Sequence, residues 1–159
     1  MKVIRWSIYG LAAVLVGLLV VVVVARNSDG PLGALAGGPL EAGEAVTGPV
    51  DWAFLKDVDT LELQLVQPPR SRTVWAVLHD GAPYVPCGLP GFRLWKQWPH
   101  EAVMDGRAIL RSEGRLYRGR LVKVEDASLH GTLTDLVDQK YQAGGAYDAD
   151  TLWFFRFES

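Results

Sequence analysis

Nineteen consecutive uncharged residues, 7–25 (SIYGLAAVLVGLLVVVVVA), constrain this chain more than any other feature. A helix of that length spans roughly 28 Å, close to the hydrocarbon thickness of a bilayer. In lipid every backbone polar group needs an internal partner, and a single segment achieves this only as a helix. The run therefore reads as a transmembrane anchor, with residues 1–6 on one side and everything after Ala25 on the other. Lys2 and Arg5 precede it, while Arg26 alone follows closely and Asp29 comes soon after. The positive-inside rule then places residues 1–6 in the cytoplasm and the C-terminal domain outside it, with Trp6 and Tyr9 at interfacial depth. Cleavage after Ala25 and secretion is the competing fate. The run is longer than the usual signal-peptide core of about 7–15 residues, which favours a retained anchor.

Three of the 16 basic residues and none of the 18 acidic ones lie in residues 1–26, so the remainder carries a net charge of −5. That balance excludes a nucleic-acid binder, which presents a basic face to phosphates. Cys87 is the single cysteine, so no intramolecular disulfide forms and the fold rests on its apolar core. His79, Cys87, His100 and His130 lack close ligand spacing, and no metal site is expected.

Residues 26–50 are rich in Gly, Pro and Ala without a sustained period, and read as a tether. A single domain is expected over 51–159. Leu61, Leu63 and Leu65 alternate with Glu62 and Gln64 as a half-buried strand. Thr73–Leu78 reads as a second strand, turning at His79-Asp80-Gly81 into Pro83–Cys87. Arg93–Val103 reads as a short helix interrupted at Pro99. Ala108–Arg111 and Leu116–Val124 form a hairpin across Ser112-Glu113-Gly114. Leu129, Leu133, Leu136 and Val137 mark an amphipathic helix over Ala127–Tyr141, capped by Asp126 and stopped at Gly144-Gly145. Thr151–Phe157 is a closing strand. About six strands and two short-to-medium helices in this length point to a mainly-β, partly open barrel. Trp52, Trp75, Trp153 and Phe155 are expected to supply much of its burial.

The order is an Arg-bearing strand at Arg72–Leu78, a turn, Tyr84-Val85-Pro86-Cys87, then a segment with Arg93, Trp95, Lys96 and Trp98. The Asp105-Gly106 turn and the long strand Tyr117–Val124 follow. This arrangement, over residues 51–158, resembles the pyridoxamine 5′-phosphate oxidase-like split-barrel superfamily and the related deazaflavin-dependent nitroreductases. The resemblance implies a six-stranded split barrel, usually a homodimer, with FMN or a deazaflavin in a groove. It also implies that Arg72, Thr73, Arg93 and Lys96 hold the cofactor phosphate. The residues themselves are chemically suited: Arg70, Arg72 and Thr73 offer donors at the mouth of one strand, and Arg93 and Lys96 lie about one helical turn apart. Trp75, Trp95, Trp98 and Tyr84 offer flat surfaces to a ring system. The alternative for each Arg is a solvated or ion-paired side chain, and for each Trp a place in the core. A second basic group, Arg107, Arg111, Arg115, Arg118, Arg120 and Lys123, reads either as a phosphate- or headgroup-facing patch or as a solvated hairpin face.

Two function classes remain open from sequence: a membrane-anchored flavin-type oxidoreductase, and a non-catalytic exported binding or envelope-structural domain of the same fold. The flank charges make one direct prediction. A reporter fused after Ser159 is expected to score outside the cytoplasm; a cytoplasmic score reverses both orientation and localisation.

Overall fold

A computed structural model describes residues 2–93, 96–144 and 150–159. The N-terminal run forms one helix, α1 (Lys2–Arg26), with a mean hydropathy of 2.4 over Tyr9–Arg26. It is long and apolar enough to cross a bilayer. Its C-terminal carbonyls are capped locally. The Asn27 side-chain amide donates to Val23 O at 2.7 Å, and Ser28 Oγ donates to Ala25 O at 2.7 Å.

Beyond α1 the strands are β1 (Glu44–Val46), β2 (Leu61–Leu65), β3 (Arg70–Val74), β4 (Val77–His79), β5 (Ala82–Gly88), β6 (Arg107–Ser112), β7 (Arg115–Lys123) and β8 (Leu152–Glu158). They run in the order β3-β2-β6-β7-β8-β5-β4, all antiparallel along that path, with β1 added in parallel to the first half of β7. Helices α2 (Trp98–Met104) and α3 (Ala127–Tyr141) and a 3₁₀ turn at Trp52–Lys56 complete the fold. Both expected hairpin turns form. Asp80-Gly81 and Glu113-Gly114 adopt positive φ at both central positions, the geometry whose twist matches the flanking strands.

The count is eight strands rather than about six, for two reasons. Thr73–Leu78 is not one strand paired with Pro83–Cys87. Val74 pairs with Leu61 at one edge of the sheet, whereas Val77 pairs with Tyr84 at the other. Trp75-Ala76 is the corner between those edges, and this is where the barrel is split. A corner leaves backbone polar groups without ladder partners, and α3 supplies them. Ala76 N–H donates to Tyr141 Oη at 3.0 Å, and Tyr141 Oη donates to Asp59 O at 2.8 Å. Lys140 Nζ donates to Ala76 O, Leu55 O and Val58 O at 2.9, 2.6 and 2.7 Å. The second reason is that the expected tether packs on the barrel. Gly37 pairs with Ser71, Leu40 is buried, and β1 joins the sheet. Gly37 approaches Gly30 so closely that a Cβ would meet its carbonyl oxygen at 1.8 Å. Arg111 fastens this segment. Its guanidinium grips Asp29 at 2.8 Å, Ala42 O at 3.0 Å, and Glu62 on β2.

The core has two main parts on either side of the sheet. Leu63, Leu65, Leu110, Val85 and Phe155 fill the barrel with Trp52 and Trp98, while Leu133 and Val137 of α3 cover Phe154 and Tyr84 outside it. Phe154 and Phe155 are both fully buried because successive strand residues face opposite sides, and here both sides are covered. Trp52 and Phe155 are buried as expected and Trp153 is half-buried. Trp75 departs from expectation: at the corner it is 43% exposed, stacked on Tyr141 with centroids 4.4 Å apart.

Asp126 caps α3 as its spacing predicts, accepting from Ser128 N and Leu129 N. The helix ends at Gln142, in the left-handed region, before Gly144; Gly145 lies outside the described residues. The Arg93–Val103 helix is shorter than expected. It starts at Trp98, because Pro99 sits in the first turn, where its missing N–H costs nothing.

Removing the Lys140 ammonium leaves three carbonyls short of a donor. Lys140→Met is expected to lower stability by about 1.5–3 kcal/mol, read as a lower denaturant midpoint at unchanged slope.

Candidate functional site

The split at Trp75-Ala76 opens a cavity of about 760 Å³. β3 forms one wall with Arg70, Arg72, Thr73 and Val74, and β5 another with Pro86, Cys87 and Gly88. Lys96, Gln97 and Trp98 line it at the start of α2, and the last turn of α1 reaches it through Val22, Ala25 and Arg26. The volume lies within the range of small-molecule and cofactor sites, about 300–1,000 Å³.

Five sequence-predicted residues therefore meet at one concavity: Arg70, Arg72, Thr73, Lys96 and Trp98. Arg93 is exposed and absent from the wall, and Trp95 lies outside the described residues. Of the other candidate flat surfaces, Trp75 lines the cavity, whereas Tyr84 is buried against α3. Two polar side chains are already occupied. Lys96 Nζ donates to Gly88 O at 2.7 Å, which fastens the end of β5 to the approach to α2. Thr73 Oγ1 donates to Gly33 O at 3.1 Å.

Arg72 is different. Its guanidinium lies over the Trp98 ring, 5.6 Å from the centroid, and its buried Nε has no hydrogen-bond partner among the described residues. Burial pulls its pKa down to about 10, opposed by the field of Glu101, so it remains cationic at neutral pH. A half-buried cation with a buried, unused donor is costly; Trp98 of α2 stacks on it and Glu101 of the same helix acts on it through its field, but neither takes up the Nε–H. Cys87 sits beside it. Burial pushes the thiol up to about 11, against the pull of Lys96 and Arg72. The thiol stays protonated at neutral pH and is a poor nucleophile there.

The second basic group does not join this site. Arg107 pairs with Asp105, Arg111 with Asp29 and Glu62, and Lys123 with Glu125 while lying over Trp153. Arg115, Arg118 and Arg120 are exposed on β7. His100 and His130 each direct Nε2 at a backbone carbonyl, of Pro90 and Leu152. Among the described residues no three His, Cys, Asp or Glu side chains cluster as a metal site.

Sequence reasoning missed Gln97 and Cys87 as lining residues, and missed the end of α1 as part of the wall. The alternation of the strands carries no signal for the last of these, because it arises from how residues 27–42 fold back.

No protein-family model matches the sequence, and no curated protein matches it. Among solved structures, the chain is similar to a putative pyridoxamine 5′-phosphate oxidase from Listeria innocua, with a TM-score of 0.51 and 19% identity. That match covers 67% of this chain and 87% of the other. A NimC/NimA family protein from Clostridium acetobutylicum superposes with a TM-score of 0.49 and 11% identity, over 65% and 76% of the two chains. The fold is thus the pyridoxamine 5′-phosphate oxidase-like split barrel that the element order resembles.

The state of Cys87 is directly measurable. In the folded protein at pH 8 the thiol is expected to react with a disulfide reagent far more slowly than in denaturant, with the rate rising only as pH approaches 11. A native rate equal to the denatured one refutes the buried, protonated assignment.

Proposed function

We propose that this chain is a membrane-anchored split-barrel protein that binds FMN or a deazaflavin in the cavity and acts through it as an oxidoreductase. The observation that carries this reading is Arg72, a half-buried guanidinium whose buried Nε has no hydrogen-bond partner among the described residues, at the wall of a cofactor-sized cavity. The residues present suit such a group. A phosphate would give Arg72 the charge-assisted partner that its surroundings lack. Trp98 and Trp75 offer aromatic surface, and Gln97 adds a polar contact at the same wall. Lys96 holds the loop after β5 in place and keeps the wall formed. When bound, a flavin-type group supplies hydride or electron transfer; the chain binds it, orients it and excludes water from it. Retention of α1 holds this site at a membrane, outside the cytoplasm by the flank charges.

One observation favours a second reading, a non-catalytic exported binding domain. The described cavity wall carries no His, Asp or Glu, and its one thiol is protonated. Without a cofactor these residues bind but do not catalyse.

The test is a titration of the full chain in detergent with FMN and with a deazaflavin, followed by fluorescence and by melting temperature. Arg72→Ala is expected to weaken binding by roughly one to two orders of magnitude, the loss of a charge-assisted bond of about 1.5–3 kcal/mol. The ligand-free protein is expected to change little in stability, since Arg72 gives up only its stacking on Trp98 and the field of Glu101. If the wild-type chain binds neither compound, the non-catalytic reading replaces the first.

A further inference from the structure

We propose that the barrel lies down on the membrane that α1 spans, with the cavity mouth at headgroup depth and Leu35 and Trp75 seated in the interface. The proposal rests on the reading of α1 as a retained anchor, and names the surface and its partner: the phospholipid bilayer itself.

The cavity wall fixes the depth. Val22 and Ala25 share it with residues of β3 and β5. Val22 lies four positions before Arg26, about 6 Å down the helix axis. The headgroup zone of one leaflet is only about 5–7 Å deep. Barrel side chains that share a wall with Val22 therefore reach the level where the helix leaves hydrocarbon.

The geometry is held, not tethered. Ala25 is 2% exposed, so one side of the last turn of the helix is packed. Asp29, three residues beyond Arg26, is gripped by Arg111, which also binds Glu62 on β2. The chain has no slack with which to lift the barrel away from the bilayer.

The side chains at this level suit lipid. Leu35 and Trp75 both line the cavity and are 37% and 43% exposed. An indole with one apolar face and a polar N–H partitions to the interface. Arg26 and Arg70, both exposed at the same concavity, match lipid phosphates. Residues 27–159 carry a net charge of −5, so attraction over the whole domain does not bring it to an anionic membrane. The contact is local and largely apolar. A second protein is the weaker occupant, because α1 itself carries the bilayer to this patch.

The experiment uses the full chain in nanodiscs of phosphatidylcholine with phosphatidylglycerol, with no cofactor added. A polarity-sensitive fluorophore is placed by Leu35→Cys, Val16→Cys or Asp80→Cys, each in a Cys87→Ala background. Asp80, in the β4–β5 turn, is at the far end of β5 from the cavity, about 20 Å along the strand. The probe at 35 is expected to be blue-shifted and quenched by brominated lipid at least about twofold more than the probe at 80. In the chain with Cys87 retained, Trp75→Phe is expected to lower the lipid-quenched share of tryptophan emission. Quenching at 16 with none at 35 overturns the docked face and leaves the anchor standing. Quenching at neither position overturns both. Because no flavin is present, failure of cofactor binding leaves this result unchanged, so the two proposals fail separately.

Discussion

The fold depends on how the chain turns the corner at Trp75-Ala76. Strands β3 and β4 are nearly continuous in sequence yet belong to opposite edges of the sheet. Between them the backbone loses its ladder partners, and a buried unpaired amide or carbonyl is costly. Two adjacent side chains at the end of α3 meet that need. Tyr141 accepts from the amide of Ala76, and Lys140 donates to its carbonyl while also holding Leu55 and Val58. One helix end thus ties the corner to the 3₁₀ turn, keeps the barrel split, and leaves the opening that becomes the cavity. Trp75 is exposed for the same reason: the corner turns it away from the core, and Tyr141 covers one of its faces.

A second linkage joins the barrel to α1. Arg111, on an inner strand, reaches both Glu62 and Asp29. The amide of Glu41, with Arg111 beside it, holds the Asp29 carboxyl below the usual range, so this acid stays ionised and paired. A Gly- and Pro-rich segment would otherwise sample many conformations. Here close glycine approaches and one ion-pair cluster fold it onto β3 and β7, so the helix end becomes part of the cavity wall. Placement of the helix end and shape of the cavity are set by the same contacts.

The cavity combines an apolar, partly aromatic wall with one half-buried cation. Thr73 spends its one hydroxyl proton and Lys96 one of its three N–H donors on backbone carbonyls, so both help to shape the site. Arg72 Nε is buried without a hydrogen-bond partner among the described residues, so this group has the most to gain from an anion. Residues with similar standing in the sequence thus take different roles once their neighbours are known.

The sequence by itself determined the long apolar helix, both tight hairpin turns, the Asp126 cap and α3, and the succession of most strands along the chain. Each rests on local chemistry: an uncharged run, a residue pair tolerant of positive φ, a side chain reaching its own helix end, or two-residue alternation. It also nominated Arg70, Arg72, Thr73, Lys96 and Trp98, since cationic and aromatic residues near strand ends are visible in one dimension. Tertiary structure alone decided that Thr73–Leu78 breaks into two strands, because the run is mostly apolar and only the positions of β2 and β5 show where it changes partner. It alone turned residues 27–50 from a tether into part of the sheet, through partners on β3, β6 and β7 distant in sequence. And it alone separated Arg72 from the other cations, because whether a guanidinium is bare or paired depends on contacts that no spacing encodes.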